Sequence, residues 1–413
     1  MPNPNPNPNP NPNFRNQDLS LPPIPKSQLG RRSRSDIGKS VIIFGGYNGF
    51  GPEREPTLME DGEKFKWYSI PVPDDDADAK AEAEKKLSPF SVVELPKLHS
   101  FVALKSSIYC LSYYTTETWI FDGCWKLGPQ MNVRRSHPHT IVLSGKLYVL
   151  GGLYDAREEY IWMEVLNPKR RAWRPLPNPP LRIRSFGMVS VALERTKQII
   201  VSAFLRGDSK DSKFRLCYSY DNDSCVVYIY NVRTCCWTEV EPPTINLRCG
   251  SPIMRVNRAV VGADDTLYWA SLNEDDQLLV VHAYCLYKNE WFEGFISPTR
   301  IIGMKEVISY MKDPTPVHLG GTKFCLLFQS YIPHPRKPGM RISEMKNDWY
   351  LHSVVFDFSL ESDPEEDFGD LHISVVSTQK YRLDHRLRFS DAVLMDGGAF
   401  NRTLQKKPKL CAD

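Results

Sequence analysis

Short runs of apolar and β-branched residues, separated by turn residues, recur along most of the chain. The clearest stretch runs from Arg134 to Pro177, where SHPHTIVL, KLYVLGG, EYIWMEVL and a short run around Trp173 follow one another. A Ser-Gly turn, a charged loop and an Asn-Pro turn separate these runs. Runs of this length and composition, punctuated by Gly, Pro and Asn, predict a four-stranded antiparallel meander instead of helices.

The same order of runs recurs along the chain, which indicates an array of repeated units. Gly46 and Trp67 are 21 residues apart, as are Gly152 and Trp173. A single meander cannot bury both of its faces, so neighbouring units are expected to stack against each other. Further units begin at His99, Arg184, Arg248 and Arg300.

The two ends of the repeated region complement each other. The region opens at Val41–Gly51 with a run that matches a second strand, and it closes at Arg388–Asp396 with a run that matches a first strand. Joined, they complete one more unit, for six in all. Closing a ring in this way removes the exposed strand edge that an open array would leave.

Composition sets the expected domain limits. Residues 1–40 consist of an Asn-Pro repeat and a Pro/Ser/Arg-rich segment, in which little could offset the entropy of ordering, so we expect disorder there. The repeated region spans residues 41–396, and residues 397–413 form a C-terminal tail. Inside the region, Asp74–Lys86 is a charged, Ala-rich insertion that we expect to be a short helix or a mobile loop.

Charge and cysteine content narrow the class of protein. The chain has 52 basic and 49 acidic residues, a balance that argues against nucleic-acid or membrane binding through bulk charge. It shows neither a long apolar run nor a basic-then-apolar leader. We therefore expect a monomeric cytoplasmic or nuclear protein whose ten cysteines are reduced thiols.

The repeats resemble those of kelch-repeat β-propeller proteins over residues 41–396. The resemblance rests on three features: the Gly pairs Gly45-Gly46 and Gly151-Gly152, the aromatic Tyr148 before the second pair, and a spaced tryptophan in five units. It implies an all-β, six-bladed propeller of four-stranded antiparallel blades, closed by strands from both termini, with the tryptophans packed between blades. The general pattern of the repeats is similar to that of plant F-box/kelch-repeat proteins, although we find no F-box-like helical segment before Val41. The tryptophans are Trp67, Trp125, Trp173, Trp237 and Trp291.

A basic residue or histidine precedes each predicted first strand. A ring would gather these residues around one mouth of the channel, where guanidinium forks can hold carboxylates or phosphates. The kelch propellers of BTB–kelch ubiquitin-ligase adaptors similarly grip acidic peptides with arginines at strand starts. The alternative is that the arginines cap turns and pair with carboxylates of loops between blades. The candidate partner-binding residues are His99, Arg135, Arg184, Arg248, Arg300 and Arg388.

Two sets of residues raise the question of a metal site. His137 and His139 face one side of a predicted strand and could begin a metal site, although the sequence shows no third ligand. The alternative is that they form a hydrogen-bonded structural pair. Glu344, Asp348 and His352 are similar to a Glu-x3-Asp-x3-His motif tied to iron in plant nitrile-specifier proteins, which are also kelch propellers. Carboxylate and imidazole ligands suit ferrous iron. On an extended strand, however, these three residues spread over about 26 Å.

The sequence favours a non-catalytic protein-interaction module that binds a protein partner at the arginine-lined mouth, with an acidic segment as the candidate ligand. No phosphate loop, nucleophile elbow or paired CxxC motif is present, and we expect no cofactor. Two alternatives stay open. One is a kelch-propeller metalloenzyme of nitrile-specifier type using ferrous iron, and the other is a ubiquitin-ligase recognition subunit with its adaptor supplied in trans.

Overall fold

The computed structural model describes most of the repeated region. The described ranges are 39–46, 64–72, 85–94, 98–112, 114–136, 138–153, 160–180, 188–204, 225–240, 259–262, 265–273, 278–286, 288, 290–296, 301–302, 306–308, 314–334, 347–361, 368–383 and 388–396. The regular elements in these ranges are all strands. This part of the chain contains no helix of the length and apolarity that a membrane crossing needs. The predicted disordered segment, residues 1–40, lies almost entirely outside these ranges, and the C-terminal tail lies wholly outside them.

The strands follow the predicted runs closely. The first eight are β1 (Lys39–Gly46), β2 (Lys64–Pro71), β3 (Lys85–Lys86), β4 (Ser91–Glu94), β5 (Leu98–Leu104), β6 (Ser107–Ser112), β7 (Thr118–Phe121) and β8 (Trp125–Leu127). The next eight are β9 (His139–Leu143), β10 (Lys146–Leu150), β11 (Met163–Asn167), β12 (Ala172–Pro175), β13 (Val189–Leu193), β14 (Gln198–Phe204), β15 (Cys225–Asn231) and β16 (Cys236–Val240). The last ten are β17 (Val260–Val261), β18 (Thr266–Asn273), β19 (Leu278–Cys285), β20 (Glu290–Ile296), β21 (Val307–Ile308), β22 (Thr315–Gly320), β23 (Lys323–Pro333), β24 (Asn347–Glu361), β25 (Phe368–Leu383) and β26 (Arg388–Asp396).

Antiparallel four-stranded sheets dominate the described part. Four sheets have the orders β26-β1-β2-β4, β5-β6-β7-β8, β12-β11-β10-β9 and β13-β14-β15-β16. A longer sheet follows the path β17-β18-β19-β20-β25-β24-β23-β21, with β22 and β3 pairing at its sides. Within the described ranges, the predictions of an all-β fold and of antiparallel four-stranded units are therefore confirmed.

The longer sheet differs from the prediction because two four-stranded units are joined at their outer strands. β20 pairs in parallel with β25 over Trp291–Glu293 and Phe368–Asp370. Glycines permit the close approach: a Cβ at Gly294 would lie 2.3 Å from the carbonyl oxygen of Leu371, and one at Gly369 would lie 2.6 Å from the ring of Phe292. The sequence does not predict that the two glycines lie at one strand–strand contact, because they belong to strands that are far apart in the chain.

The second and third strands are buried on both faces, which explains their nearly continuous apolar sequences. In β10, the four residues Leu147–Leu150 are all buried, whereas in the outer strand β12 only Trp173 is buried. A strand that is covered on both faces has no solvent side on which polar residues are favoured. The β9–β12 sheet is therefore covered by a neighbouring sheet on each face.

Among the described residues, six apolar clusters lie between consecutive four-stranded groups, of which the longer sheet contains two. One joins the β5–β8 sheet to the β9–β12 sheet and includes Leu111, Leu147 and Trp173. Corresponding clusters join each following pair of sheets, and two more flank the sheet that contains β1 and β26. The inner strands follow the same order, with β5 beside β26 and β9, β13 beside β9 and β17, and β22 beside β17 and β26.

Strands from the two ends of the repeated region pair with each other. β1 and β26 are antiparallel, with Ile42 opposite Val393 and Lys39 opposite Asp396. Ile42, Val393 and Met395 are buried in the cluster shared with the β5–β8 sheet. A strand near each end of the chain thus completes one four-stranded sheet.

The tryptophans do not all occupy the same strand. Trp125, Trp173, Trp237 and Trp291 lie in fourth strands, whereas Trp67 lies in β2, the third strand of its sheet. Trp67 is opposite Phe44 in β1. The equal Gly-to-Trp spacing was therefore a coincidence of loop length, and it does not place Trp67 and Trp173 at equivalent positions.

The cysteines agree only in part with the expectation of reduced thiols. Cys110, Cys285 and Cys325 are free and buried, and Cys235 and Cys236 are also free. Burial raises the pKa of Cys325 to about 11, so this thiol is a poor nucleophile at neutral pH. Cys124, in contrast, is disulfide-bonded, which corrects the expectation at that position.

Candidate functional site

Arg135 ties the connection between β8 and β9 to the sheet that follows. Its side chain is fully buried, and its backbone forms a bridge with Leu153. Nη1 donates to the carbonyl oxygens of Gly151 at 2.5 Å and Trp162 at 3.1 Å, and Nη2 donates to that of Ile161 at 2.9 Å. One guanidinium therefore holds the end of β10 and the start of β11 together.

Glu164 on β11 neutralises this guanidinium. Arg135 Nη2 donates to Glu164 Oε1 at 2.8 Å, and neither side chain is exposed. Glu164 Oε2 accepts from the backbone nitrogen of Asn132 at 2.8 Å and from its side-chain nitrogen at 2.5 Å. Burial lowers the pKa of Arg135, while Glu164 opposes this shift. A buried ion pair is stable only when further hydrogen bonds satisfy both partners. Here they satisfy Nη1 and Nη2 of Arg135 and both carboxylate oxygens of Glu164, while Arg135 Nε is buried without a partner among the described residues.

The Gly pair lets the connection pass close to the end of β10. Gly151 and Gly152 have φ values of 63° and 68°, which residues with side chains rarely adopt. A Cβ at Gly152 would lie 2.5 Å from the carbonyl oxygen of Ser136 and 2.8 Å from the nitrogen of Pro138. The pair is therefore architectural, because it makes room for the segment that carries Arg135.

The structure corrects the predicted role of Arg135. A buried guanidinium with four acceptors has no surface with which to hold a partner, so Arg135 does not line an open mouth. Its contacts are closer to the alternative, in which an arginine pairs with a carboxylate and fixes a connection. Partner binding by the remaining residues stays a prediction: Arg184, Arg248 and Arg300 lie outside the described residues, and only backbone positions are described for His99 and Arg388.

Two buried histidines, His282 and His352, occupy equivalent positions in neighbouring four-stranded groups. The sequence pointed to His352 only as a candidate metal ligand and did not reveal this equivalence. His282 lies on the third strand of its sheet opposite Trp269, and His352 lies on the third strand of the next sheet opposite Phe328. Each imidazole stacks on the aromatic ring that it faces, with centroids 5.4 Å and 4.9 Å apart. Glu164 has the same position in the β9–β12 sheet, opposite Val149.

The hydrogen bonds of His282 link three strands. Its Nδ1 lies 2.9 Å from Glu293 Oε1 on β20, and its Nε2 lies 3.0 Å from Ser271 Oγ on β18. This Ser–His–Glu connectivity is that of a nucleophile, a base and an orienting acid. Because the ring is 2% exposed and covered by Trp269, its evident effect is to lock β18, β19 and β20 in register.

The network at His352 is more deeply buried and more highly charged. Glu306 Oε2 accepts from Ser330 Oγ at 2.6 Å and from His352 Nε2 at 3.1 Å, and Glu306 Oε1 accepts from Lys380. Lys380 Nζ also lies 3.9 Å from the ring centre of Tyr350. Burial alone would raise the pKa of Glu306, but the hydrogen bonds from His352, Lys380 and Ser330 lower it to about 2. Burial lowers the pKa of His352, against the opposing effect of Glu306.

Acidification is therefore expected to destabilise the fold in two steps. A histidine with a depressed pKa loses its stabilising contribution as pH falls below its ordinary value of about 6.5, and Glu306 loses its contribution as pH falls from about 4.5 towards 2. Glu306→Gln should lower stability at pH 7 by about 2–3 kcal/mol and flatten the decline below pH 5, as measured by urea unfolding at several pH values. Glu361→Gln, at the exposed pair with His372, is the control and should leave the profile unchanged. Equal profiles for the two variants would contradict this account.

The candidate metal ligands do not converge. Asp348 Oδ2 lies 3.1 Å from His334 Nε2, and Asp348 Oδ1 lies 3.3 Å from Arg382 Nη2, whereas His352 contacts Ser330 and Glu306. Asp348 and His352 both lie on β24. They are four residues apart on an extended strand, so about 13 Å separates them. Glu344 and His137 are outside the described residues, and His139 bonds Ser190 at 3.0 Å. The described side chains contain no group of three suited to a metal ion.

The connections differ strongly in length between the two ends of the sheets. The three longest connections between described strands run from Gly46 to Lys64, from Phe204 to Cys225 and from Val240 to Val260. Each follows a second or a fourth strand, so all three leave the same end of their sheets, which we name the loop end. At the opposite end, β9 and β10 are joined by the Ser144-Gly145 turn alone. Tyr114, 40% exposed, lies at the loop end.

The β9–β12 sheet and the connection that carries Arg135 contain a recognised motif. The family model for the Kelch motif matches residues 134–180, which include the Arg135–Glu164 pair, the Gly pair and Trp173. The β9–β12 sheet is therefore identified as a kelch repeat by this match.

Several F-box/kelch-repeat proteins of Arabidopsis thaliana are similar to this chain. One is 24% identical over 48% of this chain and 62% of its own length. A second is 28% identical over 31% and 28% of the two chains, and a third is 36% identical over 23% and 27%. The matches therefore span less than two thirds of these relatives. The resemblance to kelch-repeat proteins, and to plant F-box/kelch-repeat proteins among them, is confirmed.

Proposed function

We propose that the chain is a non-catalytic protein-interaction module built as a closed, six-bladed kelch propeller over residues 41–396. Six four-stranded groups, six clusters between consecutive groups, and the pairing of β1 with β26 support this architecture. The inner strands contact one another in an order that returns to its starting point, β26-β5-β9-β13-β17-β22-β26. A ring leaves no exposed face at the first and last blades.

The observation that carries the function is the gathering of long connections at the loop end. Binding residues are found disproportionately on loops that a rigid scaffold positions. Buried pairs and networks such as Arg135–Glu164 hold the scaffold together, while the longest connections leave from the loop end. The partner in this proposal is a protein, and the module acts as a monomer in the cytoplasm or nucleus.

A photo-crosslinking amino acid tests where the partner sits. Placed at Tyr114 on the loop end, it is expected to form a covalent adduct with a protein from a plant cell extract. Placed at Lys288, which is 57% exposed on a turn at the opposite end of another sheet, it serves as the matched control and should form none. Mass spectrometry of the adducts identifies the partner. Adducts from Lys288 alone would contradict the assignment of the loop end.

A second candidate function is recognition of substrates for a ubiquitin ligase. The relatives are named F-box/kelch-repeat proteins, and an interaction module of this kind could choose the substrate while an adaptor is supplied in trans. Transfer of ubiquitin to the crosslinked partner in a reconstituted ligase tests this reading. If the partner binds but is never ubiquitinated, the ubiquitin-ligase function is excluded, whereas the proposal of an interaction module still holds.

A further inference from the structure

A cluster of exposed cations lies on the turn between β11 and β12, within the kelch motif. The segment reads Asn167-Pro-Lys-Arg-Arg-Ala-Trp-Arg, and its four basic side chains are exposed. The turn follows a third strand, so it lies at the end of the sheet opposite to the loop end. We name Lys169, Arg170, Arg171 and Arg174 the basic turn.

The turn that presents these cations is well defined. Asn167 Oδ1 accepts from the backbone nitrogen of Lys169 at 3.0 Å, and the carbonyl oxygen of Asn167 accepts from the nitrogens of Arg170 and Arg171 at 3.0 Å and 2.9 Å. Arg171 adopts a φ of 51°. The backbone is therefore ordered before any partner arrives, which lowers the entropy cost of binding.

Carboxylates on the neighbouring turns are already neutralised. Asp122 on the adjacent sheet pairs with Lys126, and Glu194 on the other adjacent sheet pairs with Lys197. Glu194 also accepts from the backbone nitrogen of Ser144 at 2.9 Å. Among the described residues, no carboxylate forms an ion pair with the basic turn. Its positive charge is thus directed to solvent.

The surroundings extend the positive surface instead of cancelling it. The turn between β15 and β16 on the next sheet has the same Asn-based geometry, and Asn231 Oδ1 accepts from the nitrogen of Arg233 at 2.9 Å. Arg233 is exposed and corresponds in position to Lys169. Arg174 is opposite Val165, which belongs to the cluster shared with that next sheet, so Arg174 lies on the side facing it.

We propose that the basic turn binds an acidic segment of a protein partner, a run of aspartate or glutamate side chains. Three of its four cations are guanidiniums, whose planar forks match carboxylates in pairs. A patch limited to two neighbouring turns, on a chain with a formal net charge of +3, is short for the extended phosphate track of a nucleic acid. The proposal rests on the proposed function as an interaction module. It moves the acidic-partner hypothesis from Arg135, which is buried, to the opposite end of the same sheet.

Fluorescence anisotropy with a labelled hexaglutamate peptide tests the proposal on the full chain. Lys169→Gln/Arg170→Gln is expected to weaken binding by about three- to tenfold, since each exposed charge pair contributes modestly. Lys85→Gln/Lys86→Gln is the matched control, because it removes the same charge from exposed positions on β3, and it should weaken binding less than twofold. Raising the salt concentration should weaken binding of the wild-type chain.

Each other outcome overturns the proposal in an identifiable way. Equal weakening by the two double variants would show non-specific attraction, and unchanged binding by Lys169→Gln/Arg170→Gln would exclude the turn. Retention of the chain on vesicles that contain phosphatidylserine, without peptide binding, would assign the turn to a membrane surface. A crosslinked partner at Tyr114 together with no peptide binding would leave the proposed function intact and remove this inference alone.

Discussion

Replacing Arg135 with methionine is expected to lower the free energy of unfolding by about 3–5 kcal/mol, the cost of breaking a buried ion pair from one side. The change leaves the Glu164 carboxylate buried without its cation. It also removes one donor from each of the carbonyl oxygens of Gly151, Ile161 and Trp162, although that of Trp162 still accepts from the backbone nitrogen of Gly151 at 2.8 Å. Urea unfolding followed by tryptophan fluorescence measures the loss.

Two further variants separate the ion pair from general damage to the core. Arg135→Met/Glu164→Leu should recover part of the loss, because replacing both charges removes the unpaired carboxylate. Lys197→Met breaks the more exposed pair with Glu194 and should cost less than about 1 kcal/mol. If Arg135→Met unfolded no more easily than Lys197→Met, Arg135 would not be the anchor of this sheet.

Strand type and strand order could be predicted from the sequence because apolar runs and turn residues are local signals. The run KLYVLGG marks a strand that is buried on both faces, and it is found as β10. The pairing of β1 with β26 was also predictable, since each end of the repeated region lacks what the other supplies. The position of Trp67 was not, because the long connection before β2 changes the spacing without changing the local pattern.

The burial of Arg135 could not be predicted from its surroundings in the sequence. Its carboxylate partner, Glu164, is 29 positions away, and only the fold of the sheet brings the two together. An arginine before a strand is compatible with an exposed fork or with a buried anchor. The deciding fact, that the connection crosses closely over Gly152, is a property of the assembled sheet.

The histidine networks and the basic turn each have a pattern that can be recognised in the sequence. An aromatic residue, then any residue, then serine occurs at Trp269–Ser271 and at Phe328–Ser330, and each precedes a third strand that carries a histidine. Alignment of these segments with Val149–Gly151 and Glu164 would have found the equivalence. The basic turn is plain in the sequence, but whether its charges are paired depends on Asp122 and Glu194 in neighbouring sheets.

A chain that ends at residue 387 is expected to lose cooperative folding, because the deletion removes β26. Val393 and Met395, which are 6% and 2% exposed, would leave the cluster shared with β5–β8. Burial of these two side chains is worth about 3–6 kcal/mol, a large part of the 5–15 kcal/mol that typically stabilises a domain. The edge of β1 would also lie open to pairing with other chains.

The most direct test of the closed ring compares this chain with one that ends at residue 396, which keeps β26 and loses only the tail. Thermal unfolding monitored by circular dichroism, with sedimentation to report the oligomeric state, is measured on both. The closed ring predicts that the chain ending at 396 stays monomeric and unfolds in one cooperative transition, as the full chain does. It predicts that the chain ending at 387 aggregates or shows no transition. A chain ending at 387 that stayed monomeric, with an unchanged unfolding midpoint, would contradict closure by β26.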